Sequence, residues 1–174
     1  MRIWSLIASI AFVTSVHAQT HYAGMQTRPI KALSEQQIAD LGAGRGMGLA
    51  LAAELNGYPG PLHVLELADK LELSAEQRAG MQRLFDSMKA EAMPLGAKLI
   101  EQEAELDKQF ATRTVTPESL KASTAAVAAT QGTLRETHLK YHLSTGSILT
   151  PSQMTKYAEL RGYGGGGHKR HHHH

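Results

Sequence analysis

The stretch LSAEQRAGMQRLFDSMKAEAMPLGAKLIEQEAELDKQFATRTVTPESLKASTAAVAATQGTLRETHLKYHLST, residues 73–145, decides the fold of this chain. Apart from a gap near residue 102, apolar side chains recur at alternating steps of three and four residues, which is typical of helices that pack along a coiled-coil-like seam. The pattern stops at TRTVT, residues 112–116, and resumes beyond it. The sequence therefore predicts an all-α protein built on a long antiparallel helical hairpin with short flanking helices. The predicted seam positions are Met81, Leu84 or Phe85, Met88, Ala92, Leu95, Leu99, Leu106 and Phe110 in the first helix, and Leu120, Thr124, Val127, Gln131, Leu134, His138 and Tyr141 in the second.

Three similar motifs predict where helices begin: LSEQQ at residues 33–37, LSAEQ at 73–77 and LTPSQ at 149–153. Each places a Ser or Thr three residues before a Gln, which is the pattern of a capping box. Thr116 followed by Pro117 is a further N-cap signal. Pro94 is expected to kink the first long helix, because proline removes a backbone donor and crowds the preceding turn.

Glycines at positions 42, 44, 46 and 48 predict a break in the first short helix or a very close helix contact. A nucleotide-binding loop is disfavoured there, because the glycines do not fit the G-x-G-x-x-G register and no strand precedes them.

The chain divides into five segments. Residues 1–18 are typical of a secretory signal peptide that ends in Val16-His17-Ala18, so we expect export to the periplasm and no membrane insertion after cleavage. Residues 19–32 are expected to be a loose lead-in, 33–60 a glycine-interrupted helical segment, and 61–161 the hairpin domain. Residues 162–174 form a Gly/His-rich tail that is either a native metal-scavenging arm or a purification tag.

Composition excludes several classes of function. The 18 Lys and Arg residues nearly balance the 16 Asp and Glu residues, so no nucleic-acid partner is indicated. The chain has no cysteine, which rules out disulfides and thiolate chemistry. No nucleophile elbow, H-E-x-x-H or paired-carboxylate motif occurs, so the sequence predicts that the protein is not an enzyme.

Three histidines are the candidate metal ligands. His138 and His142 lie four residues apart on one helix, a spacing at which two imidazoles can chelate one ion. The hairpin places them opposite roughly residues 86–90, and His63 lies on a short helix expected nearby. Imidazoles suit zinc, nickel, cobalt or copper(II) rather than calcium or magnesium, and we expect no metal to be required for folding. Asp86 and Glu66 are weaker candidates for an oxygen ligand. The alternative is that His138 is a hydrogen-bonded core histidine, His142 lies at the surface and His63 is unrelated.

The boxes at 73–77 and 149–153, with the export signal, the absent cysteines and the long hairpin, resemble the Spy/CpxP (LTxxQ-motif) family of periplasmic all-helical proteins. That family includes stress chaperones and the heavy-metal-responsive relatives CnrX and ZraP. The resemblance covers Pro61 to Arg161 and implies a cradle-shaped homodimer with a role in envelope stress or heavy-metal resistance. His63 and the pair His138 and His142 match the places of the ligands in its metal-sensing branch. Leu67 stands where that branch can carry a second histidine, and the carboxylate expected on the long helix has no clear equivalent.

The resemblance leaves two functions open. The first is a metal-binding protein that senses or buffers a divalent transition metal, with an inner-membrane sensor or anti-sigma partner. The alternative is an ATP-independent chaperone that binds unfolded clients. Residues 122–134 carry no charge, so this part of the returning helix is expected to be covered by other helices, a second subunit or a client.

Overall fold

The computed structural model of the protein describes residues 22–163, so the predicted signal peptide and the tail beyond Tyr163 lie outside the described residues. Within this range all regular elements are helical, and the only extended pairing is an isolated bridge between Ile30 and Leu33. The prediction of an all-α fold with short flanking helices is confirmed. The helices are a 3-10 turn at Met25–Thr27, α1 (Glu35–Gly42), α2 (Leu51–Glu54), α3 (Pro61–Glu66), α4 (Ala75–Ala111), α5 (Pro117–Gly146) and α6 (Pro151–Leu160).

The two long helices α4 and α5 form the predicted antiparallel hairpin. Near the turn, Gln109 Nε2 donates a hydrogen bond to Ser123 Oγ at 3.2 Å. Further from the turn, Tyr141 donates its hydroxyl to Glu91 at 2.7 Å. The helix α4 continues through Pro94, so this proline does not end the helix.

The predicted seam is right at apolar positions in the middle of the hairpin and wrong at its tip. Met88, Ala92 and Leu134 are buried as expected. Phe110 is instead 55% exposed, and Leu120 is 37% exposed. The physical reason is that no third helix among residues 22–163 covers the tip, where the neighbouring Gln109 side chain rather than Phe110 reaches α5. Thr124 and Gln131 are also exposed.

All four predicted N-caps are confirmed. Ser34, Ser74, Thr116 and Thr150 each accept a hydrogen bond from the backbone N–H three residues later, and each cap is closed by the side chain of that later residue. This reciprocal bonding satisfies two backbone donors that a helix start leaves without partners. The helix starts are therefore fixed by local sequence.

The glutamines of the second and third boxes also bind each other. Gln77 Nε2 donates to Gln153 Oε1 at 2.8 Å, and Gln153 Nε2 donates to Gln77 Oε1 at 3.0 Å. Their amides additionally donate to the backbone carbonyls of Ile148 and Leu71. The pair ties the start of α4 to the start of α6 at the open end of the hairpin. Beneath it lies a basal cluster of buried side chains, namely Val64, Ala68, Leu71, Leu73, Met81, Leu149 and Tyr157.

The N-terminal segment packs on the middle of the hairpin. Ile30, within the segment expected to be a loose lead-in, is 6% exposed, and the backbone N–H of Lys31 donates to Asp107 at 3.2 Å. The helix α1 approaches α4 so closely that a Cβ placed on Gly96 would lie 2.1 Å from the carbonyl oxygen of Leu41. These contacts bury a second, upper cluster that comprises Ile30, Leu33, Leu41, Ala92, Leu99, Val127 and Leu134.

The approach of α1 to α4 predicts opposite effects for two Gly→Ala substitutions. Gly96→Ala should lower the free energy of unfolding by about 2 kcal/mol or more, because the new methyl group meets a backbone atom that cannot turn away. Gly132→Ala in α5 is the matched control, since nothing lies within 4 Å of its Cβ position. It should raise stability by about 0.5 to 1 kcal/mol. Urea unfolding followed by circular dichroism measures both, and equal effects would contradict the close packing.

Candidate metal centre

A pocket of about 450 Å³ lies between the upper and basal clusters. The helices α4 and α5 form its floor, the segment 43–63 forms most of its wall, and Arg161 and Tyr163 close one side. The three predicted ligands His63, His138 and His142 all line this pocket. The structure therefore brings to one cavity the side chains that the sequence pattern selected.

Glycines allow the backbone to lie directly against the imidazoles. The chain leaves α1 at Gly42 and turns with a positive φ at Gly44 and Gly48, so the predicted break is confirmed. Further along the same wall, a Cβ at Gly60 would lie 2.9 Å from His142 Nε2. Only a residue without a side chain fits there, because that separation is shorter than a carbon–nitrogen van der Waals contact.

His142 is held in one ring orientation. It is 7% exposed, and its Nδ1 lies 2.7 Å from the backbone carbonyl oxygen of Tyr58. Because a carbonyl oxygen only accepts, Nδ1 carries the hydrogen and the lone pair of the neutral ring is on Nε2. The alternative in which His142 lies at the surface is therefore wrong.

His138 is buried without a hydrogen-bond partner at one ring nitrogen. The residue is 2% exposed, and Nε2 contacts no donor or acceptor within the described part of the chain. Burial lowers the pKa of the His138 imidazole below its usual value, and the repulsion that a protonated His142 would exert acts in the same direction. The ring is accordingly neutral at neutral pH, which is the form that binds metals. The alternative in which His138 is a fully hydrogen-bonded core histidine does not describe this ring.

The remaining predicted ligands are less well placed. His63 Nδ1 lies 3.1 Å from Glu66, and the His63 side chain is 37% exposed at the pocket rim. Asp86 accepts a hydrogen bond from Gln82 and does not line the pocket. Among residues 22–163 no three histidine, aspartate or glutamate side chains stand together in an arrangement that holds an ion. His138 and His142 line the same pocket without a third ligand beside them in the described chain, and His63 would have to turn away from Glu66 to join them.

A buried carboxylate behind His142 is the feature that sequence reasoning missed. Glu54 is 6% exposed and is the only charged residue in the apolar run from Met47 to Leu55, a signal that could have identified it. Its carboxylate is surrounded by donors from several parts of the chain. The hydroxyls of Tyr157 and Tyr163 and the backbone N–H of Gly60, at 3.2 Å, donate hydrogen bonds to it. Arg161 Nε, at 3.5 Å, is its ion-pair partner, and we call these four groups the Glu54 network. His142 Nδ1 lies 3.8 Å away and donates instead to Tyr58.

The Glu54 network joins the N-terminal segment to α6 and to the residues that follow it. Burial, together with the hydrogen bond to Glu54, raises the pKa of the Tyr157 hydroxyl well above its usual value, so this hydroxyl always carries the proton that it donates. A buried carboxylate is tolerated only when such donors replace the water it has lost. The network therefore fixes the N-terminal wall of the pocket against the side that Arg161 and Tyr163 close.

Removing the buried carboxylate should destabilise the protein. We expect Glu54→Ala to lower the free energy of unfolding by about 3 kcal/mol, because two tyrosine hydroxyls and Arg161 lose a buried partner. Glu159→Ala is the control, since Glu159 is exposed on α6 and should change stability by less than about 0.5 kcal/mol. Denaturant unfolding of both variants tests this, and a Glu54→Ala protein as stable as the control would refute the role of the network.

Comparison with known proteins gives a family but no individual relative. A family model described as LTXXQ motif family protein matches residues 62–161, whereas the curated proteins give no match and the solved structures give none either. Within residues 22–163 no helix is both long and apolar enough to cross a bilayer. The match covers α3 to α6 with both paired boxes, and it leaves out α1, α2 and most of the pocket wall. The chain belongs to the LTXXQ motif family, the Spy/CpxP-type family that the sequence resembled.

Proposed function

We propose that the protein is an exported, periplasmic metal-binding protein whose pocket takes a divalent transition metal ion through His138 and His142. The observation that carries the proposal is the hydrogen bond between His142 Nδ1 and the Tyr58 carbonyl. Histidines that bind metals typically donate their other ring N–H to a carbonyl or carboxylate, which fixes the tautomer and raises the basicity of the ligating nitrogen. His142 has this arrangement, with Glu54 as a further negative charge at 3.8 Å.

The second imidazole supports the same proposal. His138 is neutral, and its buried Nε2 lacks a partner among the described residues. A buried polar atom without a partner costs free energy, and an ion bound at this ring would offset that cost. His63 is the third protein ligand in this proposal, after its ring leaves Glu66. Neutral imidazoles favour zinc, nickel, cobalt or copper(II), and the biological role is to sense or buffer such an ion.

Metal titration by calorimetry tests the proposal. The parent for this test carries serine in place of the five tail histidines, so that ions bound by the tail do not contribute. It should bind zinc, nickel or copper(II) at about one ion per chain. His138→Ala and His142→Ala should each weaken binding by about 100-fold or more, since losing even a residue behind a ligand typically costs about 10- to 100-fold. His63→Ala should weaken binding less if water replaces the third ligand.

Circular dichroism of the metal-free variants is the control, because it separates a lost ligand from a lost fold. Unchanged affinity in folded His138→Ala and His142→Ala proteins would refute the metal centre. Absence of binding in the parent would do the same.

A second candidate function is suggested by the exposed face of α5. Ala122, Ala125, Ala129 and Thr133 are exposed and belong to the uncharged stretch 122–134. The expectation that other helices cover this stretch holds only for Val127, Thr130 and Leu134. A homodimer partner or an unfolded client would cover the remainder, and the second of these makes the protein an ATP-independent chaperone.

Aggregation of an unfolded client in the absence of metal tests the chaperone. Micromolar protein should suppress the rise in light scattering, and the double variant Ala125→Lys and Ala129→Lys should suppress it less, because two charges now lie on the apolar face. The same changes at Ala90 and Ala97, exposed on α4, form the matched control. Failure of the parent to suppress aggregation would rule this function out.

A further inference from the structure

We propose that the same pocket also binds a small organic anion with an apolar body, such as an aromatic carboxylate, independently of any metal. The first support is size. A pocket of about 450 Å³ is far larger than an ion and its water ligands need, since one water occupies about 30 Å³ in the liquid. It lies instead within the range of about 300 to 1,000 Å³ that is typical of sites for small organic ligands.

The walls indicate an apolar ligand body. Phe85 and Met88 contribute from α4, and Met47, Leu51 and Leu62 contribute from the N-terminal wall. Met47, Leu51 and Leu62 are 41%, 53% and 39% exposed, although each is a large apolar side chain. A ligand with an apolar body would cover them and gain about 25 cal/mol for each Å² of apolar surface removed from water.

The charges of the lining indicate an anionic head group. Arg45, Lys89 and Arg161 are the cations of the lining, and Glu54 is its only anion. Glu54 is already occupied by Arg161 and the tyrosines, and Arg45 pairs with Asp40 at 2.7 Å. Lys89 contacts no carboxylate within residues 22–163, and its ammonium lies 5.9 Å from the centre of the Phe85 ring. A positive charge beside an apolar wall is a suitable partner for a carboxylate attached to a ring.

One buried nitrogen provides hydrogen-bonding capacity that the protein itself does not use. His138 Nε2 is buried, and within the part of the chain that the structure describes it has no hydrogen-bond partner. His138 lines the pocket and is only 2% exposed. Such atoms are rare in folded proteins and call for a partner. A neutral imidazole donates through one of its nitrogens, and a carboxylate oxygen accepts that bond well.

Calorimetric titration of the full chain with 2-naphthoate in excess EDTA tests the proposal. The EDTA removes metal ions, so the result does not depend on the proposed metal centre, and the two proposals can fail separately. We expect saturable binding of about one naphthoate per chain and clearly weaker binding of the uncharged 2-naphthamide. Lys89→Gln should weaken naphthoate binding by about threefold to fivefold, as expected for a partly exposed ion pair.

Lys98→Gln is the matched control, because Lys98 lies on the same helix, is exposed and does not line the pocket. It should leave naphthoate affinity unchanged. His138→Phe keeps a ring of similar size and removes the nitrogen, so it should also weaken naphthoate binding. The proposal is overturned by absence of binding at millimolar naphthoate, by equal affinity for naphthoate and naphthamide, or by equal effects of the two lysine substitutions.

Discussion

The carboxylate of Glu54 is the constraint on which the pocket depends. A negative charge that is 6% exposed costs several kcal/mol of lost hydration unless donors surround it. The donors here come from the Gly60 backbone, from two tyrosines and from Arg161, so they satisfy the charge only when the N-terminal segment and the C-terminal part are both in place. One buried charge thereby couples the N-terminal wall of the pocket to α6 and the residues that follow it.

Two parts of the chain come together around the Glu54 carboxylate. The family-matched region builds the hairpin and joins α4 to α6 through the Gln77–Gln153 pair, which is a local consequence of two capping boxes that face each other. The preceding residues supply Glu54, Tyr58 and the glycines that lie against His138 and His142. The paired boxes thus account for the frame of α3–α6, whereas the pocket forms where the residues before the matched region lie against that frame.

What the sequence predicted, and what it did not, depends on how far apart along the chain the interacting residues lie. The capping boxes were predictable because Ser74 and Gln77 satisfy each other within one helical turn. His138 and His142 were found because four-residue spacing is visible in a sequence. The role of Glu54 was missed because its tyrosine partners lie 103 and 109 residues further along the chain. The exposure of Phe110 was missed because periodicity identifies a helix face but not whether anything covers it.

The two pocket histidines consequently have different roles in the structure. His142 lines the pocket, and its Nδ1 is held by the Tyr58 carbonyl and lies near Glu54. Any change at this ring alters stability and the pocket together. The Nε2 atom of His138 has no partner among the described residues, so its hydrogen-bonding capacity contributes nothing to holding the fold. Retaining a buried, unpaired nitrogen costs stability, and that cost is explicable when the nitrogen serves a ligand rather than the fold.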